Sequence, residues 1–275
     1  MPERLAAALA GAVAAWPGPG AAGVVSRRGV DASAGAAERA FPWASVTKLL
    51  VALSCLVASE EGTVGLDDAV GPPGSTLAHL LAHASGLPFE GLQPVAPPAH
   101  RRIYSNTGME LAAEHLEARS GMHFGDYPRV GVLSPLGMNG TFFEGSPAHG
   151  ASGPLVDLLA LAGELLSPTL VSKATWQTAT GVAWPGLVGV LPGFGRQDPC
   201  DWGLGPEIRG HKSPHWTGPL NSPSTFGHFG QSGSLLWVDP EAGVALAGVS
   251  GTSFGPWAKQ AWPLLSDAVV LYLTA

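Results

Sequence analysis

Ser45 and Lys48 stand three residues apart in FPWASVTKLL, residues 41–50. Positions i and i+3 share one face of a helix, so the serine hydroxyl and the lysine amine can meet there. Serine is a weak nucleophile until a base takes its proton. A lysine can be that base when burial or nearby positive charge lowers its pKa, and the residues following Lys48 are apolar, which is the setting that does so. A serine at the head of a helix also lies beside free N–H groups that favour developing negative charge. The plainer assignment is a helix cap followed by a surface charge. With four lysines in the chain, about 0.3 Ser-x-x-Lys matches arise by chance, so the pair needs support from elsewhere.

Support comes from Tyr104-Ser105-Asn106, in RRIYSNTGMELAAEHL, and from His228-Phe229-Gly230, in FGHFGQSGSLLWVDP. A tyrosine hydroxyl relays protons when a nearby cation lowers its pKa. Asn106 can hydrogen-bond both a lysine and a substrate carbonyl. A glycine-flanked strand lets a substrate lie close against the backbone, which brings in Gly230 and Gln231.

Rival sites are weaker. GTSFG, residues 251–255, matches the G-x-S-x-G nucleophile elbow, but that arrangement needs an acid and then a histidine downstream, and no histidine follows Ser253. It reads as a turn. His79/His83 and His211/His215 have metal-ligand spacing. The first pair lacks an intervening glutamate and the second lies in a Pro-rich loop, so no metal site and no cofactor are expected. Four tryptophans, Trp43, Trp202, Trp216 and Trp237, are candidates for the lining of an apolar acyl pocket or for plain core.

The elements that must hold these residues follow from periodicity. Residues 3–15, 45–60, 106–121, 155–166 and 172–180 read as helices, with a short one in STLAHLLAHASG between a Ser75 cap and a Gly86 stop. Residues 88–103 read as Pro-rich loop and 181–225 as irregular. AAGVVSRRGV reads as strand and turn. TFGHFGQSG, SLLWVDP and GVALAGVS read as a β-meander, and PWAKQAWPLLSDAVVLYL as a closing helix interrupted by Pro263. Strands at both chain ends with helices between them imply an α+β fold with an antiparallel sheet. The expected division is a sheet region, 1–60 together with 201–275, and a mostly helical region, 61–200.

Bulk composition narrows the partners. The 275 residues are 45% hydrophobic and 13% charged, which is globular and weakly charged. A net charge of −7 with no Lys/Arg cluster beyond Arg101-Arg102 argues against nucleic acid. The apolar runs are too short to span a bilayer. The start, MPERLAAALAGAVAAW, lacks the net positive charge and cleavage site of a signal peptide, so a helix and a cytoplasmic location are expected. Two cysteines, Cys55 and Cys200, make neither a disulfide framework nor a metal site.

Taken together in order, PWASVTKLLVAL, LAHLLAHASGLP, YSNTGMELAAEHLEARSG, SPLGMNGTFF and FGHFGQSGSLLWVDPEAGVALAGVS resemble the class C β-lactamase-like serine hydrolases, a family that includes penicillin-binding D,D-peptidases and esterases. The resemblance covers nearly the whole chain. It implies a β-lactamase/D,D-peptidase-like fold with Ser45 as the acylated nucleophile, Lys48 and Tyr104 sharing proton transfers, and Asn106 orienting the substrate. It also implies an oxyanion hole from the backbone N–H groups of Ser45 and Gln231. One position departs: His228 stands where many members carry the lysine of K-T-G, which helps to hold a substrate carboxylate. Neutral histidine is a weaker anion partner, and Phe229 has no hydroxyl. The resemblance therefore implies acyl transfer on a small-molecule ester, amide or lactam, tilted toward an esterase or amidase on neutral acyl substrates. The alternatives are a β-lactamase or D,D-peptidase, an acyltransferase, or a non-catalytic acyl- or penicillin-binding relative.

Overall fold

The computed structural model describes residues 2–274. Helix α1 (Pro2–Ala14) opens the chain and presents Leu5, Leu9 and Val13, spaced four apart, as a buried stripe. It lies against a hairpin of β1 (Gly20–Ser26) and β2 (Gly29–Gly35). A short strand, β3 (Phe41–Pro42), and a 3-10 turn (Ala44–Val46) lead into α2 (Thr47–Glu60). Every α2 residue from Thr47 to Ala58 is buried, as an apolar sequence without a polar stripe requires.

The middle of the chain carries α3 (Leu77–Leu81), α4 (Asn106–Ser120), α5 (Asp126–Pro128) and a π-helical turn (Arg129–Leu133). Strands β4 (Phe142–Phe143) and β5 (Ala151–Gly153) then form a small sheet with β3, in which β5 is central and pairs with both others. Helices α6 (Leu155–Leu166) and α7 (Lys173–Thr180) and the hairpin β6 (Gly189–Leu191)–β7 (Gly195–Gln197) follow. Strands β8 (Glu207–Ile208), β9 (Phe226–Phe229), β10 (Leu235–Asp239) and β11 (Val244–Ser250) complete the sheet before α8 (Pro256–Thr274), which runs through Pro263.

The main sheet has six antiparallel strands in the order β2-β1-β11-β10-β9-β8. Strand β1 near the start pairs with β11 near the end, from Gly20 opposite Ser250 to Ser26 opposite Val244. Alternation along the strands divides the core in two. Leu235, Trp237, Val244 and Leu246 face α1 and the Ala258-Trp262-Leu265-Val269 stripe of α8. Leu236, Val238, Ala245, Ala247 and Val249 face the opposite core, which contains α2 and α6. The α+β expectation holds, with helices on both faces of an antiparallel sheet.

Local differences have local causes. The short helix starts after Thr76, not Ser75, because the Thr76 hydroxyl accepts from the His79 N–H while the His79 ring accepts from the Thr76 N–H, a reciprocal cap. It ends at Leu81 rather than running to Gly86, since His83 adopts φ +54°. The two-residue strands β3, β4 and β8 and the π turn are too short to leave a periodic signal.

A buried charge cluster anchors β8. Lys212 Nζ lies 2.6 Å and His215 Nε2 3.0 Å from the Glu207 carboxylate, all three side chains at most 3% exposed. Trp216 Nε1 also donates to Glu207 (3.1 Å). Burial opposes ionisation of Glu207, but His215 and Lys212 outweigh it and hold its pKa at about 2. The carboxylate's contribution is present above its ordinary range and is lost as the pH falls from about 4.5 toward 2. Glu207→Ala would leave a buried ammonium unmatched, and about 3–5 kcal/mol of stability is expected to be lost by urea denaturation at neutral pH. A loss below 1 kcal/mol would mean that water reaches the cluster.

Candidate active site

The 3-10 turn places Ser45 at the mouth between α2 and the end of β9. Two sets of contacts fix that turn. On one side Trp43 N–H donates to Ala151 O (2.8 Å), and Thr47 Oγ1 donates to Ala44 O (2.5 Å) while accepting from the Ala151 N–H (3.0 Å). On the other side Ser234 Oγ donates to Trp43 O (2.6 Å) and Gly230 N–H donates to Ser234 O (2.8 Å). A Cβ at Gly230 would run into Trp43 O and Ser234 Oγ, so this approach of strand to turn requires glycine. Ala44, immediately before Ser45, is held at φ +44°, a left-handed conformation that costs an alanine of order 1 kcal/mol or more and persists only because these contacts over-determine it.

Ser45 is not a helix cap: α2 has Val46 at its N-cap position and no side-chain cap bond. Its hydroxyl instead lies 3.1 Å from Lys48 Nζ. Lys48 is fully buried, and its amine also donates to Asn106 Oδ1 (2.8 Å) and Ala148 O (2.9 Å). Burial lowers its pKa to about 7, with Glu110 pulling weakly the other way. Asn106 is the first residue of α4, whose N-cap Ser105 accepts from the Gly108 N–H (2.9 Å).

Tyr104 stands over Lys48, the ammonium 4.8 Å from the ring centroid, and lines the same cavity as Ser45. Its hydroxyl reaches His228 Nε2 at 3.4 Å. The lysine meets the ring face rather than the hydroxyl. Burial therefore dominates and raises the Tyr104 pKa above its ordinary value, opposite to the cation-lowered tyrosine expected from sequence. His228 Nδ1 donates to Phe229 O (2.7 Å), which leaves Nε2 as the acceptor facing Tyr104. Burial, reinforced by Lys48, lowers the His228 pKa to about 3, so the imidazole is neutral at pH 7.

Ser45, Tyr104, Glu207, His228 and Gln231 line one cavity of about 160 Å³, walled by Phe89, Leu191, Pro192, Trp202, Trp216 and Phe229. Asn106 and Gly230 reach it through Lys48 and the nucleophile turn. Of the four tryptophans singled out, Trp202 and Trp216 line the cavity. Trp43 is core, donating to Gly153 O (3.1 Å), and Trp237 lies on the far face of the sheet, bonded to Ser266 (3.0 Å).

The rival sites do not assemble. GTSFG is the turn between β11 and α8, and its Phe254 N–H braces Gln231 O (2.8 Å). His79 caps α3 and stacks on Trp184, while His83 turns inward against Tyr104 (ring centroids 4.6 Å apart) and accepts from Ser105 N–H (3.1 Å). His215 belongs to the Glu207 cluster. Among the described residues no three His, Cys, Asp or Glu converge as a metal site. Among them no helix is long and apolar enough to cross a membrane. Sequence reading missed Ser234, the Ala148 carbonyl and Glu207. Glu207 had one signal, an acid followed by a lysine and two histidines within the short stretch GPEIRGHKSPH.

Comparison with known proteins bears on this geometry. The beta-lactamase family profile matches residues 9–269. The chain belongs to the beta-lactamase family. A member from Mycobacterium bovis, a beta-lactamase of solved structure, is 50% identical and superposes with a TM-score of 0.94 over 96% of this chain and 99% of its own. Penicillin-binding protein 4* of Bacillus subtilis is 33% identical over 134 residues, a match spanning 37% of this chain and only 30% of that protein's length. The fold also recurs, at 16% identity, in simvastatin synthase of Aspergillus terreus (TM-score 0.81; 98% of this chain, 94% of that one). It recurs at 17% identity in EstCE1, a hydrolase with promiscuous acyltransferase activity (TM-score 0.78; 98% of each chain).

Proposed function

We propose that the protein is a serine hydrolase that forms an acyl-enzyme on Ser45 and acts on small esters or amides with a neutral acyl group. One observation carries this. A neutral lysine amine has two hydrogens and one lone pair. Asn106 Oδ1 and Ala148 O take the hydrogens, which leaves the lone pair facing Ser45 Oγ. With a pKa of about 7, a large fraction of Lys48 is in that form at neutral pH.

In the first step Lys48 Nζ takes the Ser45 proton as the Oγ–carbonyl bond forms. The oxyanion lies toward the Ser45 N–H and the Gln231 N–H, which has no acceptor among the described residues. The bond to the leaving group then breaks as Lys48 Nζ returns the proton to that group, with the Tyr104 hydroxyl, protonated at neutral pH and in reach of His228, as a hydrogen-bond donor in the same cavity. Water enters and gives a proton to the same amine as its oxygen adds to the acyl carbon; the Ser45–acyl bond then breaks, the amine returns the proton to Ser45 Oγ, and a carboxylic acid is released. The neutral His228, the Glu207 carboxylate and the apolar walls disfavour an anionic acyl group, and about 160 Å³ limits its size.

A second reading, β-lactam hydrolysis, is favoured by the 50% identical relative that bears the name beta-lactamase. Intact-mass measurement during turnover of a short-chain p-nitrophenyl ester and of a chromogenic cephalosporin tests both. A transient acyl adduct mapped to Ser45 with faster ester turnover is the expected result. Faster cephalosporin turnover would establish the second reading, and a stable adduct without turnover would make the protein a binding relative. No adduct with either would remove the nucleophile.

A further inference from the structure

A second cavity, about 800 Å³, adjoins the first and shares Phe89, Tyr104 and Pro192 with it. In a chain with 14 Lys and Arg against 21 Asp and Glu, its lining holds His100, Arg101, Arg102 and Arg196 and no carboxylate. Local folding gathers them. Arg102 N–H donates to Val188 O (2.9 Å), and Gly189 packs against the Arg102 backbone and side chain, which fastens the β6–β7 hairpin to the segment before Tyr104. Val190 pairs with Arg196 in that hairpin, so both side chains stand on the vestibule side.

The three arginines are not equivalent. Arg102 is buried, with its guanidinium committed to the carbonyls of Ala82, Ala183 and Cys200. Its pKa is lowered by burial, to about 10, and it stays charged at neutral pH. Arg101 is exposed and has no hydrogen-bond or ion-pair partner among the described residues. Arg196 meets only Asp198, at 3.4 Å, with both side chains mostly in solvent. Two guanidinium groups are thus available, beside the opening of the Ser45 cavity, with a third fixed charge behind them.

We propose that this vestibule is a subsite for an anionic group, a carboxylate or phosphate, on the leaving group of the substrate. The substrate class is then an ester with a small neutral acyl part and a larger anionic alcohol or phenol part. The acyl part enters the Ser45 cavity, and the leaving group lies across Phe89, Tyr104 and Pro192 with its anion on Arg101 and Arg196. Guanidinium forks suit such anions because they donate two parallel hydrogen bonds. The assignment rests on Ser45 acting as the nucleophile, but the cavity's charge does not.

Matched esters test it: 4-carboxyphenyl acetate and 4-carbamoylphenyl acetate differ only in the anion. The wild type is expected to prefer the carboxylate by about five- to tenfold in kcat/KM at low salt, in keeping with two partly exposed ion pairs. That ratio is expected to approach one in R101Q/R196Q and in about 0.5 M NaCl, where screening shortens the Debye length. Turnover of both esters with no preference, or a preference the double variant retains, would overturn the subsite and leave the nucleophile standing. If neither ester is turned over, the esterase reading fails. The subsite is then decided by tryptophan-fluorescence titration with 4-hydroxybenzoate against 4-hydroxybenzamide. Tighter carboxylate binding that R101Q/R196Q abolishes supports it, and equal binding overturns it.

Discussion

Ser45→Ala is expected to lose at least about 10⁴-fold in kcat on a p-nitrophenyl ester while keeping the melting temperature of the wild type. The size follows from its role: without Oγ no acyl-enzyme forms, and what remains is attack by water aided only by binding and oxyanion stabilisation. The unchanged stability follows from position. Ser45 is partly exposed, caps no helix, and leaves the contacts that hold its turn to Trp43, Ala44, Thr47 and Ser234. Removing Oγ also frees Lys48 Nζ from only one of three partners. Equal rates in wild type and variant, measured side by side with the same preparation, would sink the mechanism.

Lys48 provides the second large effect, and it has a pH signature. With a pKa of about 7, the neutral amine is scarce in acid, so kcat/KM is expected to rise about tenfold per pH unit below 7 and to level off above it. No other group at the nucleophile titrates there: His228 lies at about 3 and Tyr104 above its ordinary range. Lys48→Met is expected to lose about 10³-fold in kcat and the neutral limb with it. A limb that survives in Lys48→Met would assign the base elsewhere. The same group shapes stability. Between about 7 and 10.5 the unfolded chain holds the lysine proton and the folded chain does not, so wild-type stability is expected to rise with pH across that window. Lys48→Met should flatten this rise, which urea denaturation at pH 7 and 9 would reveal.

The sequence carried much of this arrangement because its signals are local. A three-residue spacing, an apolar run after Lys48 and a glycine beside His228 are visible without any fold. The helices at 106–120 and 155–166 have caps or an apolar face long enough to read. Other features depend on distant contacts. The protonated state of Tyr104 follows from where Lys48 meets its ring. The Ala148 carbonyl has no side chain to mark it, and the role of Ser234 exists only because Trp43 O comes to lie against it. The outer cavity escaped for the same reason: Arg101 and Arg196 become neighbours only once the β6–β7 hairpin is fastened beside Tyr104.

The pairing of Gly20–Ser26 with Val244–Ser250 has a bearing on how the chain is made. Synthesis proceeds from the N-terminus, so the β1–β2 hairpin emerges long before its partner strand exists. Until β11 appears, β1 presents an unpaired edge and the apolar side chains Val24 and Val25, features that favour association with other chains. Closing so long a loop is entropically costly and slow. Ser45 meets its brace at Gly230–Ser234 late for the same reason, so the nucleophile turn is completed only when the last strands dock. A nascent chain halted before β9 holds every residue of the Ser45–Lys48–Tyr104 set but only the Ala151 side of the frame that aligns it.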